Sequence, residues 1–105
     1  MATTNSVVLS QFHAALNALY GDRLARVVLY GSRARGDAQD DSDYDVAIFL
    51  RSLPDRWAEL DRLADLRIRF LDETGAFFDA RPYSVVAYRE RSPLMHEIRR
   101  EGIDL

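Results

Sequence analysis

Two short apolar runs constrain this chain more than any other feature. LARVVLY, residues 24–30, is rich in β-branched and large apolar side chains and stops at Gly31. DYDVAIFL, residues 43–50, repeats the pattern after a connection of small, polar and charged residues. Runs this short, bounded by glycine and aspartate, read as strands, the first of them buried. In the second, Tyr44, Val46, Ile48 and Leu50 fall on one face, and Asp43, Asp45, Ala47 and Phe49 on the other. Residues 32–42 read as a loop with room for one helical turn.

Helical patterns flank this pair. Val8, Phe12, Ala15, Leu16 and Leu19 recur at helical spacing over residues 7–20, and Gly21 follows as a stop. Pro54 suits the first turn of a helix over 54–73, with Trp57, Leu60, Leu63, Leu66, Phe70 and Leu71 as its inner stripe and Gly75 at its end. Residues 77–87, FFDARPYSVVA, read as a third strand, in which Pro82 implies an edge position or a break. Ser92 and Pro93 read as N-cap and N1 of a last helix whose apolar face is Leu94, Met95 and Ile98, closed by Gly102. The expectation is one domain, residues 1–105, of the α+β class: an α/β sandwich in which a short mixed sheet is flanked by helices.

Composition removes several kinds of chemistry. The absence of cysteine excludes disulfides, zinc–thiolate sites and thiol nucleophiles. All 14 basic side chains are arginine, so a phosphate clamp must use arginine, main-chain N–H or metal. The formal net charge of -3 gives no support to direct nucleic-acid binding. MATTNSVVLSQF lacks a signal-peptide pattern, and no apolar run is long enough for a membrane span, so a cytoplasmic protein without a membrane partner is expected.

The chemistry concentrates in YGSRARGDAQDDSDYDVAIFL, residues 30–50. Asp43 and Asp45 lie two apart on a predicted strand, so both carboxylates point to one face. Their mutual repulsion is relieved by a hard divalent cation, and magnesium is commonly held by one or two carboxylates plus substrate phosphates. Gly31 lets a ligand approach the main chain, and Ser32 adds a hydroxyl beside N–H groups able to form an anion nest. A lone glycine-serine turn is usually only a turn, and a lone D-x-D is usually a solvated loop end. Joined by ten residues between two strands, they place a phosphate loop and a carboxylate pair at adjacent strand ends.

This conjunction resembles the minimal nucleotidyltransferases of the DNA polymerase β-like superfamily, whose signature is GS, about ten residues, then D-x-D. Gly31, Ser32, Asp43 and Asp45 match it position for position, and LMHEIRREGIDL is similar to the family's terminal helix. The resemblance implies a third carboxylate on a later strand. Asp79, sharing a face with Phe77 and Arg81, is the candidate. It further implies that Asp43, Asp45 and Asp79 hold two Mg²⁺ ions, with ATP as substrate and Asp79 serving the acceptor hydroxyl. Gly31 and Ser32 would hold the leaving phosphates. Arg33 and Arg35 are nucleotide-binding candidates, weighed equally against a solvent-facing role. Asp37, Asp40 and Asp41 read as loop charge, Ser42 as a turn residue, and His13 and His96 as structural or exposed.

Larger members of that family carry extra acceptor-binding domains, so the short length implies an acceptor surface supplied by a partner or by oligomerisation. The resemblance implies a helical HEPN protein as that partner: an RNase toxin adenylylated on tyrosine by its antitoxin. The alternatives are adenylylation of a small molecule such as an aminoglycoside, or an antitoxin that acts by contact alone.

Overall fold

The computed structural model describes residues 6–39 and 41–105. The start of the amino-terminal stretch read above, and Asp40, lie outside the described residues. Helix α1 (Ser6–Tyr20) runs through a 3-10 turn (Gly21–Arg23) into strand β1 (Leu24–Tyr30). The short helix α2 (Ser32–Arg35) follows, then β2 (Tyr44–Leu50), the long helix α3 (Arg56–Thr74) and β3 (Phe78–Ser84). A second 3-10 segment (Val85–Arg89), helix α4 (Pro93–Glu101) and the two-residue strand β4 (Ile103–Asp104) complete the chain.

The four strands form one sheet in the order β3-β2-β1-β4. β1 runs antiparallel to β2 and β4, and β2 runs parallel to β3. A parallel pair needs a long crossover, and α3 supplies it. One sheet face, with Leu29, Val46 and Ile48, packs on α1 and α3 through Phe12, Leu16, Leu63 and Phe70. Phe12 stacks on Phe78 with ring centres 3.8 Å apart and meets Phe70 edge-on at 5.1 Å. The other face, with Val28, Tyr30, Ala47 and Phe49, packs on Met95 and Ile98 of α4. Helices on both faces explain why β2 is apolar at nearly every position.

The mixed sheet and its helices are as expected, and so is Pro82 on an edge strand, where a missing N–H is tolerated. Ser92 caps α4 by accepting from the Met95 N–H at 3.1 Å, with Pro93 at N1. Four expectations are corrected. Pro54 does not open α3: Asp55 is the N-cap and accepts from the Ala58 N–H, so the helix begins two residues later. Trp57, Leu60 and Leu71 are not in the inner stripe, which is Glu59, Leu63, Leu66 and Phe70: Trp57 lies on the opposite side, 79% exposed, and Leu60 and Leu71 are only partly buried. On α1, Leu19 is exposed while Leu9 and Tyr20 are buried. The third strand stops at Ser84, where the chain tightens into a 3-10 turn, and β4 is a fourth strand too short to show any periodicity. Among the described residues no helix is long and apolar enough to cross a membrane.

Candidate active site

The carboxyl end of β1 and the amino ends of β2 and β3 meet at one end of the sheet. Tyr30 pairs with Asp45, and Asp45 pairs with Asp79. Residues directly opposite each other share a face, so these three side chains form a row across three strands. The Asp45 side chain is partly buried; Asp79 is 28% exposed; Asp43, just ahead of β2, is exposed. The structure thus brings Asp45 and Asp79 into register, although 34 residues separate them in the chain, with Asp43 at the mouth.

Gly31 sits against this row. It caps α2 with φ 75° and ψ −157°, a conformation effectively reserved for glycine. A Cβ at this position would collide with Oδ2 of Asp45. The main chain of the turn therefore lies directly on the carboxylate, and Ser32 begins α2 beside it. The carbonyl of Gly31 accepts from the N–H groups of Ala34 at 3.1 Å and Arg35 at 3.0 Å, which fixes the turn.

The two loop arginines take different places. Arg33 is buried: its Nε and Nη2 donate to the Ser42 carbonyl at 3.2 and 3.0 Å, and its guanidinium lies 4.5 Å from the centre of the Tyr44 ring. It faces the loop rather than solvent and holds the two ends of the connection together. Ser42 is the turn residue expected, its hydroxyl accepting from the Gln39 N–H at 2.8 Å. Arg35 reaches Asp37 at 3.3 Å, and Glu97 and Glu101 of α4 at 3.6 and 3.4 Å, tying α2 to α4.

Electrostatics mark Asp45 as the strained member of the row. Burial pushes its carboxyl above the usual range, and the neighbouring Asp79 and Asp43 carboxylates add to this while Arg81 opposes it. Asp79 is held by Arg81, whose Nε and Nη2 contact its two oxygens at 3.2 and 3.3 Å. The Tyr30 hydroxyl is pushed up to about 12, first by burial and then by Tyr83 and Asp45. Among the described residues no three acidic or histidine side chains converge on one cation position as they stand. Tyr30 and Glu97 escaped the sequence reading. Tyr30 carries a signal, as the last residue of β1 before the glycine; Glu97 carries none, because only packing of α4 brings it near.

A glycine-serine turn opening a short helix, set against carboxylates on adjoining strand ends of a mixed sheet, is the arrangement of a nucleotidyltransferase domain. Residues 17–105 match the family described as polymerase beta nucleotidyltransferase, and the chain belongs to that family. Two proteins of Methanocaldococcus jannaschii named as protein adenylyltransferases are similar in sequence. One is 38% identical over 47 residues, covering 45% of this chain and 48% of the relative. The other is 34% identical over 71 residues, covering 65% and 47%. In these matches the chain spans about half the length of each relative. Crystal structures of toxin–antitoxin proteins share the fold. A variant of the MntA–HpeT toxin–antitoxin matches with a TM-score of 0.62 at 15% identity, over 96% of this chain and 72% of that one. A toxin–antitoxin solved with AMP-PNP matches with a TM-score of 0.59 at 18% identity, over 90% and 69%.

Proposed function

We propose that this chain transfers AMP from ATP to a hydroxyl of a protein partner, and that it is the antitoxin of a helical HEPN RNase toxin modified on tyrosine. The observation that carries the reading is the row of Asp45 and Asp79, with Asp43 ahead of it and the Gly31 main chain pressed on Asp45. The names of the two archaeal relatives support a protein acceptor. The AMP-PNP in one structural neighbour supports an adenine nucleotide, and the toxin–antitoxin neighbours support a toxin as partner.

In this reading the acceptor oxygen bonds to the α-phosphorus, the bond from that phosphorus to the bridging oxygen breaks, and pyrophosphate leaves. Gly31, Ser32 and the first turn of α2 bind the departing phosphates through main-chain N–H groups and the serine hydroxyl. Asp79 orients the acceptor hydroxyl and takes its proton. Arg35 holds α2 at its distance from α4, and Arg33 holds the loop that carries Asp43. Asp43, Asp45 and Asp79 would hold two magnesium ions. The donor set is carboxylate oxygen throughout, which suits that cation, and the repulsion felt by Asp45 is what a cation relieves. When bound, the metal supplies neutralisation of charge on the transferring phosphate.

Intact-mass spectrometry of a candidate helical HEPN partner, incubated with this chain, ATP and Mg²⁺, tests the proposal. The partner is expected to gain AMP on tyrosine. Asp45→Asn is expected to slow the gain by about a thousandfold, equivalent to about 4 kcal/mol of barrier. An unchanged partner mass in a stable complex with folded enzyme would reject the reading and leave inhibition by contact or a small-molecule acceptor.

A further inference from the structure

Helix α3 has two apolar faces. At about 100° per residue, Glu59, Leu63, Leu66 and Phe70 point to the sheet, and all four are buried. Trp57, Leu60, Ala64, Ile68 and Leu71 form a second row, about 100° to 180° round the same helix from Glu59. Trp57 is 79% exposed and Ile68 59%. The row continues beyond the helix: Ala64, Ile68 and Leu71 line a groove of about 340 Å³ with Phe78 and with Phe77, which is 52% exposed. A helix apolar on two sides is built to lie between two bodies, and the described residues supply one, the sheet.

Charge decides what fits the second side. Asp61, Asp65 and Asp72 run along one edge of the row, all exposed, and none makes an ion pair among the described residues. Beyond them, Arg62 is bound to Glu59 and Arg69 lies over the Phe70 ring. On the opposite edge Arg56 and Arg67 donate to the carbonyls of Pro82 at 2.6 Å and Phe78 at 2.5 Å, so both are turned onto β3. A second copy packed antiparallel across the row would set aspartate against aspartate. Packed parallel, it would offer those aspartates only arginines already committed to β3. An added strand fits no better, because Pro82 interrupts the open edge of β3.

We infer that the outer face of α3, from Trp57 to Leu71 and onto Phe77, docks an amphipathic helix of a partner protein whose apolar stripe is flanked by lysine or arginine. This surface stands independently of nucleotide transfer, since it contains none of the site residues.

Trp57 is the sole tryptophan, so its fluorescence reports occupancy of the face. The probes are two stapled synthetic helices matched to the 19 residues of α3, with one leucine stripe in common and either lysine or glutamate flanks. The lysine helix is expected to shift Trp57 emission to the blue, to saturate, to bind at least tenfold more tightly than the glutamate helix, and to weaken with salt. Ile68→Asp is expected to abolish binding while leaving the circular dichroism spectrum unchanged, because Ile68 is exposed. Asp61→Lys combined with Asp72→Lys is expected to invert the preference between the two helices. No shift with either helix, or equal binding of both, overturns the inference. A blue shift that follows the protein's own concentration, with a dimer in sedimentation, also overturns it and assigns the face to a second copy.

Discussion

Gly31→Ala is expected to destabilise the chain by about 3 kcal/mol and to abolish nucleotide transfer together. Two costs combine. A backbone at φ 75° and ψ −157° is strained by about 1–3 kcal/mol for any residue but glycine. The new methyl group must also displace the Asp45 carboxylate, an overpacking cost of about 1–3 kcal/mol. For a domain of this size, 3 kcal/mol lowers Tm by roughly 12 °C or more. Gly36→Ala is the control. Gly36 also has positive φ, at 85°, but a Cβ there meets nothing within 4 Å, so only a conformational cost of about 1 kcal/mol is expected. Thermal melts of the two variants beside wild type check the prediction. Equal losses would mean that the contact between the turn and Asp45 contributes nothing.

Glu59→Gln is expected to cost about 3 kcal/mol and to blunt acid denaturation. Glu59 is 2% exposed, at the end of the sheet opposite the site, and binds Arg23 at 2.7 Å and Arg62 at 2.8 Å. Burial alone would raise its pKa, but the hydrogen bonds from the two arginines outweigh it and hold the carboxyl below its usual range. Breaking a buried pair from one side leaves Arg23 partly desolvated without its counter-charge, which is why the loss is large. In the unfolded chain Glu59 titrates near about 4.3. Its contribution is therefore complete above that pH and disappears as pH falls through the lower folded value. Urea unfolding at a series of pH values should show wild type losing stability below about pH 4.5, and the glutamine variant losing less over the same interval.

The parts legible in the sequence were those with local signals. β1, β2 and the caps of α4 are written in short runs and in the Ser92–Pro93 pair. Gly31, Ser32, Asp43 and Asp45 were readable because a turn and a D-x-D lie ten residues apart. Trp57 misled because helical periodicity locates apolar residues without saying which of two apolar rows faces the core. That choice was made by the packing of Leu63, Leu66 and Phe70 against the sheet, which the helical pattern alone does not show. The same limit hid the approach of Glu97, while Asp79 was reached only through the family resemblance, because its pairing with Asp45 arises from packing between distant segments. Arg33 illustrates a further limit: an arginine beside a phosphate-loop motif invites a ligand role, whereas its guanidinium is turned to a carbonyl nine residues on.

The mixed sheet also orders events in time. Tyr30 and Asp45 pair across adjacent strands, a contact that closes after one short connection. Asp79 reaches them only when α3 has formed and β3 has docked alongside β2. The long loop this closes makes the step slower than collapse of the first strand pair. The contact of Tyr30 with Asp45 is therefore local, and the contact of Asp45 with Asp79 is the non-local step of building the row. Completion of the aspartate row is a clock for the docking of β3, not for compaction.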